Sequence, residues 1–313
     1  MTLSINTNTS SMVALETLSA TSAELSATEN AVSTGKKVST AADNPAAFGI
    51  SSEIGGDVAG QSAVNDGLSY ASQVVSSTMT AADSIISVLQ SVQNAVTGLA
   101  NNEGNATSLG QINDELNGYM KQIDTIARDA TVKGINLLAT STTDGLGITA
   151  TNMTYVTGLQ GDTQTISGFT ASIVADTGAT GTAGSLTDAL GLTTGSTVGA
   201  NPTSNQFLTG TGASIALAGT GGAAALIDLV KNAITAMTNV TSQLGSNSTM
   251  ITEMSSFGQA QADDLTAASG ALTDADMSAE SAKLTSEQTK QSLGIKSLSI
   301  ANNSSQNILS LFQ

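Results

Sequence analysis

The residue types that most often carry out enzymatic chemistry are missing from this chain. Its 313 residues include no histidine and no cysteine, which removes the commonest general base, zinc-thiolate sites, disulfides and thiol nucleophiles. No H-E-x-x-H or G-x-x-x-x-G-K-[ST] motif is present. The remaining candidates are the carboxylates Asp263–Asp264 and Asp274 with Asp276, which lie in stretches of helical periodicity. Solvated helix faces or subunit contacts explain them better than acid–base catalysis, so the sequence predicts no enzyme, no cofactor and no metal site.

Composition and charge exclude further classes of partner. Nine basic and 25 acidic residues give a formal net charge of −16, which argues against nucleic acid and anionic membrane surfaces as partners. No run of about 20 apolar residues predicts a transmembrane helix, and the N-terminal residues do not resemble a Sec signal. We therefore expect a cytoplasmic protein, or one that is exported without a cleavable signal. Two prolines, no tryptophan and many small residues favour long, closely packed helices.

An amphipathic helix is predicted near the N-terminus. Apolar residues occupy most positions of a series that advances by three and four residues: Leu15, Leu18, Ser22, Leu25, Glu29 and Val32. Thr9, Ser10 or Ser11 could cap the start of this helix. Gly35 ends the pattern, and Asn44-Pro45 marks an irregular connector.

Two longer heptad patterns follow. The first comprises Leu68, Ala71, Val75, Thr78, Ala82, Ile85, Leu89, Val92, Val96 and Leu99, and the second comprises Leu109, Ile112, Leu116, Tyr119, Ile123, Ile126 and Ala130. A polar break at Asn101–Asn105 separates them. Two heptad helices joined by a short polar loop predict an antiparallel helical hairpin.

The central residues change in character. From about Thr140 to Gly222 glycine, threonine, serine and alanine dominate, and short apolar runs lie between turn dipeptides such as Asp144-Gly145 and Gly161-Asp162. The runs are Tyr155–Leu159, Thr165–Val174 and Ser214–Leu217. We expect a small β domain, with a disordered low-complexity insert as the alternative. The serine and threonine content also permits surface O-glycosylation.

The longest pattern lies near the C-terminus. An unbroken three-four series runs through Val230, Ala233, Met237, Val240, Leu244, Asn247, Ile251, Met254, Gly258, Gln261, Leu265, Ala268, Leu272, Ala275, Ala279, Ala282, Ser286, Thr289 and Leu293. It predicts helices that share one seam with left-handed coiling, with a break near Gly258 or Gly270 as a possibility. The final 23 residues carry apolar stripes on two sides of a helix, one with Ile295, Leu298, Ala301, Ile308, Leu309 and Phe312, the other with Leu293, Ile300 and Leu311. Such a helix requires two partners.

The nested order of these segments predicts a mainly α fold. We expect a long coiled-coil-like helical rod formed by the N- and C-terminal segments, with a small central β-rich insert domain. The predicted domains are a terminal helical domain of residues 1–40 and 275–313, a rod domain of residues 41–140 and 221–274, and a variable, surface-exposed insert of residues 141–220. Apolar chain ends that lie together, far from a polar insert, are expected of a polymer subunit.

Four segments resemble bacterial flagellins. They are Leu293–Leu311, with an A-N-x-x-x-Q-N-[IVL]-L-x-L ending, Ala271–Met277, Leu3–Asn8, and Val32–Val38 followed by Ala42–Ala46. The resemblance covers roughly the first 140 and last 95 residues. It implies a secreted subunit that leaves through the flagellar type III export apparatus, polymerises beneath a filament cap, and contributes to the extracellular filament used for swimming. It also implies terminal helices that fold on assembly and a secretion chaperone that binds the C-terminal helix.

The resemblance places the polymerisation contacts on the inner helices. The expected residues are Leu15, Leu18, Leu25, Val32, Leu293, Leu298, Ile300, Ile308, Leu311 and Phe312. The Leu15–Val32 helix is the expected partner of the C-terminal helix within the subunit, which leaves Leu293, Ile300 and Leu311 for a neighbouring copy. A hook–filament junction protein of the same lineage is the closest alternative. A secreted, non-polymerising adhesin is another, although it would have no need of apolar segments at both chain ends.

One departure from the family concerns recognition by an animal receptor. Flagellins recognised by the Toll-like flagellin receptor carry an L-Q-R-x-R-E-L-type run, and the equivalent segment here has Leu89, Gln90, Ser91 and Gln93 in its first five positions. Ser91 and Gln93 cannot reproduce the fixed fork of five donors that an arginine supplies. We therefore expect weak or absent activation of that receptor.

Overall fold

The computed structural model describes residues 8–142, 147–179, 184–193, 205–210, 214–218 and 222–309. Within these residues the chain forms seven helices and four short strands. In order they are α1 (Thr9–Thr34), α2 (Pro45–Asn101), α3 (Ala106–Asp129), β1 (Met153–Val156), β2 (Thr163–Ile166), α4 (Thr170–Thr177), α5 (Leu186–Ala189), β3 (Leu208–Thr209), β4 (Ala216–Leu217), α6 (Gly222–Thr273) and α7 (Met277–Leu309). The chain divides into two compact units, unit 1 (Met1–Ala59 with Ala262–Gln313) and unit 2 (Gly60–Gln261).

The core of unit 2 follows the heptad patterns. All ten positions of the predicted α2 series, from Leu68 to Leu99, are fully buried. The α3 series and the first part of the α6 series, from Val230 to Ile251, contribute to the same hydrophobic cluster. Asn105 caps α3 by accepting a hydrogen bond from the Ser108 amide, which stabilises the short turn after α2. The predicted helical hairpin is confirmed.

Helix α3 also has a second buried face that its heptad pattern does not indicate. Met120, Asp124 and Ala127 are buried there. The Asp124 carboxylate accepts hydrogen bonds from the Thr187 amide (3.0 Å) and the Thr187 hydroxyl (2.9 Å). Burial raises the pKa of Asp124, although the hydrogen bonds from Thr187 oppose that shift. Helix α5 of the insert therefore packs against this face of α3.

The insert is a folded mixture of short strands and helices in its described parts. Strands β1 and β2 form an antiparallel hairpin in which Met153 pairs with Ile166, and β3 pairs with β4. Gly161, at φ +85°, lies in the predicted turn between β1 and β2. The run Thr165–Val174, expected to be part of a small β domain, is divided between the end of β2 and the start of α4. The disordered alternative is wrong for the described residues, whereas Asp144-Gly145 lies outside them.

One buried side chain joins the end of α3 to the segment that leads into the insert. Asn136 is fully buried, and its amide nitrogen lies 2.7 Å from the Ala127 carbonyl and 3.2 Å from the Arg128 carbonyl. Its oxygen accepts hydrogen bonds from the amides of Leu138 and Ala139. The side chain thus satisfies carbonyls at the end of α3 that have no partner within the helix.

Candidate functional site: the paired terminal helices and their junction

Helix α1 is bounded by two residues suited to helix ends. Asn8 caps its start, because the Asn8 side chain accepts a hydrogen bond from the Ser11 amide. The cap therefore lies one residue before the predicted candidates Thr9, Ser10 and Ser11. At the other end Gly35 adopts φ +68°, a left-handed conformation that strains residues with a side chain.

Helices α1 and α7 pack against each other in antiparallel order. The Asn8 side chain donates to the Ala301 carbonyl (3.0 Å), and the Ser11 hydroxyl donates to the Asn302 side chain (2.7 Å). Further along, Leu18 lies so close to Gly294 that a Cβ added there would be 3.2 Å from Leu18 Cδ1. The expectation that the N-terminal helix is the partner of the C-terminal helix is confirmed.

The residues of α7 that face α1 differ from the predicted seam. Reduced exposure recurs at Glu280, Leu284, Glu287, Gln291, Gly294, Leu298 and Ala301. The continuation of the predicted series, from Ala279 to Leu293, is exposed. The reason is a break in the helix: α6 ends at Thr273 and α7 begins at Met277, so the phase of the pattern changes. The break that the sequence left open therefore lies after Gly270, between Thr273 and Met277, and the expectation that one seam continues past it was wrong.

Unit 1 has almost no hydrophobic core. Among the described residues, Leu25 and Val38 are its only buried apolar side chains, whereas unit 2 buries several dozen. Unit 1 instead exposes large apolar side chains: Met12, Val13, Leu15, Phe48, Ile50, Met277, Leu293, Ile295 and Ile300. All of these residues except Phe48 and Ile50 lie on the paired helices α1 and α7. Apolar exposure of this extent is typical of a surface that another molecule covers.

The predicted contact residues fall into two groups. Leu25 is buried, and Leu18, Val32 and Leu298 are half-buried, at the pairing of α1 with α7. Leu15, Leu293 and Ile300 are 58%, 59% and 70% exposed. The side chain of Ile308 and residues Leu311 and Phe312 lie outside the described residues.

Three exposed residues extend the second group. Met12 and Val13, beside Leu15, line an open apolar groove of about 570 Å³ on α1, and no heptad pattern indicates them. Ile295, which the sequence placed on the other stripe with Leu298, is 56% exposed and joins Leu293 and Ile300 instead. The adjacent apolar residues Met12 and Val13 are the sequence signal from which this part of the exposed group could have been predicted.

The connectors between the helices form a second feature, which we call the junction clip (Thr34–Val38 and Ala271–Ala275). The Thr273 carbonyl accepts hydrogen bonds from the amides of Lys37 (2.7 Å) and Val38 (3.2 Å), and the Ala275 amide donates to the Gly35 carbonyl (2.9 Å). The Lys37 ammonium donates to the Ala271 carbonyl, where a cation is favoured by the dipole of α6. Val38 and Thr273 are both buried.

Polar side chains in and beside the segments that resemble flagellin motifs form the hydrogen bonds and helix caps next to the junction clip. The Asp43 carboxylate accepts hydrogen bonds from the amides and hydroxyls of Ser39 and Thr40. The amide of Thr40, followed by that of Ser39, lowers the pKa of Asp43. Asn44 caps α2 and Pro45 occupies its first position, while Asp276 caps α7 through the Ser278 amide.

A buried charge lies in the α1–α7 seam. Glu287 is 3% exposed, and one of its oxygens accepts a hydrogen bond from the Lys290 ammonium at 2.7 Å. That hydrogen bond, with a smaller attraction from Glu24 of α1, raises the pKa of Lys290. The other oxygen of Glu287 finds no hydrogen-bond partner among the described residues. A seam that buries a carboxylate and two threonines, Thr21 and Thr28, is weakly stabilised by apolar contact.

The segment equivalent to the receptor-binding run lies on α2. Leu89 is fully buried in the core of unit 2, Gln90 is exposed, and Ser91 and Gln93 are half-buried. The Ser91 hydroxyl donates to the Ser87 carbonyl of the same helix. In the described part of the chain, no helix is long and apolar enough to span a membrane, and no group of three or more carboxylates could hold a metal ion.

Comparison with known proteins gives matches at both ends of the chain. Residues 5–143 match the bacterial flagellin N-terminal helical region, and residues 227–312 match the bacterial flagellin C-terminal helical region. Flagellin FljK of Caulobacter vibrioides is 30% identical over 99% of this chain and 98% of its own length. Flagellin C of Rhizobium meliloti is 32% identical and a flagellin of Brucella melitensis 31% identical, each over 99% of both chains.

Proposed function

This chain belongs to the bacterial flagellin family, and we propose that it is a structural subunit that is exported and polymerises into the helical flagellar filament for swimming motility. The observation that carries this proposal is the exposure of large apolar side chains in unit 1. Among its described residues, unit 1 buries two apolar side chains, Leu25 and Val38, and exposes nine large ones. Further copies of the same chain are the partner that would cover these faces.

Two other functions have less support. A hook–filament junction protein would share the terminal helices, but the relatives that align with 99% of this chain are flagellins. A secreted adhesin that does not polymerise would have no need for exposed apolar faces on both terminal helices. The proposal includes no catalytic step, because the chain offers neither histidine nor cysteine to carry one.

Seeded growth tests the proposal directly. Purified chain is added to short filament fragments, and filament length is followed by electron microscopy as the concentration is raised. We expect continued elongation above a critical concentration. Growth that stops after a few subunits would identify a junction protein instead, and an absence of any addition to the seeds would contradict polymerisation altogether.

Family membership supports the proposed partners in export. We propose that the N-terminal region directs the chain to the flagellar type III export apparatus, that a secretion chaperone binds α7 beforehand, and that a filament cap guides assembly outside the cell. The exposed Leu293, Ile295 and Ile300 of α7 would offer the chaperone an apolar surface. Deleting this helix should abolish co-purification with the chaperone while unit 2 remains folded.

The proposed domain boundaries follow the breaks between helices. Residues 1–40 with 275–313 would form the inner part of the filament, residues 41–140 with 221–274 the outer helical part, and residues 141–220 the exposed insert. The connectors after Thr34 and Thr273 support the first boundary. The compact units instead divide within α2 and α6, so limited proteolysis of the monomer, with cleavage near residue 40 or residue 60, distinguishes the two divisions.

Weak or absent activation of the Toll-like flagellin receptor remains part of the proposal. Buried Leu89 is committed to the helical core, and the accessible residues Gln90, Ser91 and Gln93 supply no charge. A receptor reporter assay that responds to the monomer at ordinary flagellin concentrations would contradict it. The double variant S91R and Q93R restores both arginines and should raise the response if the missing guanidinium groups are the cause.

A further inference from the structure

The thioether of methionine is the most readily oxidised side chain that this chain offers, since cysteine, tryptophan and histidine are all absent. The structure describes eight of the nine methionines, and burial divides them by unit. The six in unit 2 are buried or half-buried: Met79, Met120, Met153, Met237, Met250 and Met254. In unit 1, Met12 is 65% exposed and Met277 is 43% exposed. An oxidant in solution therefore meets the methionines of unit 1 first.

Met12 lies in the apolar surface that a neighbouring copy is proposed to cover. Together with Val13 and Leu15 it lines the open groove on α1, and Glu16 is the one charged residue of that lining. Its thioether is thus an apolar contact on the face proposed for polymerisation. Met277 differs in position, because it is the first residue of α7 and does not line the groove.

A peroxide converts this apolar contact into a polar one. Hydrogen peroxide transfers an oxygen atom to the sulfur of Met12: the sulfur lone pair forms the S–O bond, the O–O bond breaks, and the second oxygen leaves as water. The sulfur is oxidised and the peroxide is reduced by the same electron pair. The resulting sulfoxide accepts hydrogen bonds from water, so burying it against the apolar side chains of another copy carries a desolvation cost.

We propose that Met12 is an oxidative modification site that controls whether a free subunit can join a filament. In the free chain peroxide reaches Met12, and the sulfoxide form adds poorly to a filament end. Within the filament a neighbouring copy covers Met12 and protects it. The accessibility of Met12 in the free chain does not require α1 to be folded there, because an unfolded segment exposes its thioether as well. The inference rests on the proposed function, since polymerisation supplies both the protection and the effect.

Peptide mass spectrometry tests the accessibility of Met12 in the two states. Free chain and assembled filaments are treated with hydrogen peroxide for matched times, and the sulfoxide at each methionine is quantified. In the free chain Met12 should react at least about 10-fold faster than buried Met120 and Met237, and assembly should slow Met12 by a similar factor. Equal rates for Met12 in the free chain and in filaments would overturn the proposed protection.

The concentration of chain that remains unpolymerised after seeded growth tests the effect of oxidation. Treating the free chain with peroxide should raise this critical concentration by about 5- to 30-fold, because the exposed 65% of Met12 no longer gains from apolar burial. Met12→Leu keeps an apolar side chain without a thioether, so treatment should leave its critical concentration unchanged. Met277→Leu is the matched control and should remain as sensitive as the original chain. A sensitive Met12→Leu chain, or an insensitive Met277→Leu chain, would overturn the inference.

Two further measurements separate the sulfoxide from other damage. Methionine sulfoxide reductases that act on both epimers, supplied with a thiol as reductant, should restore growth of the oxidised chain. Met12→Gln places a polar amide at the same position and should raise the critical concentration without peroxide, which keeps the test decisive if Met12→Leu elongates seeds poorly. Growth that reductases do not restore, or a Met12→Gln chain that grows like the original, would overturn the inference.

The untreated chain distinguishes failure of this inference from failure of the proposed function. An untreated chain that does not elongate seeds would count against the proposed function. An untreated chain that elongates seeds, together with an oxidised chain that elongates them equally well, would count against the role of Met12 alone.

Discussion

Replacing Leu293 and Ile300 by glutamine should strongly weaken filament growth without disturbing the subunit. Both residues lie on α7, where they are 59% and 70% exposed, so the isolated chain gains little from them. Glutamine has a helix propensity close to that of leucine, and α7 should therefore remain helical. The change removes apolar surface that only a neighbouring copy would cover.

The size of the effect follows from the exposed fractions. Full burial of a leucine or isoleucine side chain contributes about 1.5–3 kcal/mol. The part still exposed here corresponds to roughly 1–2 kcal/mol for each residue and roughly 2–4 kcal/mol for the pair. Since about 1.4 kcal/mol changes an equilibrium tenfold, the critical concentration should rise roughly 30- to 700-fold.

The assay is the concentration of unpolymerised chain that remains after seeded growth, measured by sedimentation. Val156→Thr with Leu159→Gln is the matched control, because these residues are similarly apolar and are 40% and 38% exposed in the insert. The control should polymerise like the original chain. If the α7 double variant had a critical concentration within about threefold of the original, the assignment of this face to a neighbouring subunit would be refuted.

Three further predictions concern stability, each measured by denaturant unfolding of the full-length chain. Asn136→Ala should lower the free energy of unfolding by about 2–4 kcal/mol, because the amides of Leu138 and Ala139 lose their buried acceptor. As a control, Asn102→Ala removes one hydrogen bond to its own helix and should lower the free energy of unfolding by less than about 1 kcal/mol. Burial raises the pKa of Asp124 in the folded chain, so its contribution to stability is fully present below the unfolded pKa and is lost as pH rises through the folded pKa. Asp124→Asn should therefore gain stability relative to the original chain as pH rises above the ordinary pKa of an aspartate, and a difference that stays constant with pH would contradict this. Gly258→Ala should lower the free energy of unfolding by about 1–3 kcal/mol, because its Cβ would lie 2.5 Å from the Asn65 side chain and against buried Gln61. Gly245→Ala, in the same helix, has open space and should raise the free energy of unfolding by about 0.5–1 kcal/mol. Equal effects of the two changes would show that the close contact at Gly258 is unimportant.

The helical core of unit 2 could be predicted because its seam is local and repetitive. Each turn of α2 places an apolar residue, such as Leu68 or Val96, at the same angle, so the pattern indicates both the helix and its buried face. The second face of α3 could not be predicted in this way. Asp124 is buried there because Thr187 approaches from the insert, and that contact is not encoded by spacing within α3.

The change of phase between α6 and α7 could not be predicted for a similar reason. Ala275 fits the heptad series, yet the chain leaves the helix before it. The backbone groups of Thr273 and Ala275 instead bond to Gly35, Lys37 and Val38, which are remote in sequence. The exposed group on the terminal helices was only partly predicted. Leu293 and Ile300 were placed on the outer face by spacing, whereas Ile295 was assigned to the wrong side.

The threonines of the terminal helices affect how firmly water is bound at the surfaces of these helices. The hydroxyls of Thr17 and Thr34 in α1, and of Thr285 and Thr289 in α7, donate to carbonyls of their own helix four residues earlier. With its proton used internally, each exposed threonine presents mainly a methyl group to an approaching molecule. Water is therefore held less firmly than the count of hydroxyls indicates. The terminal helices thus have surfaces from which water is easily displaced.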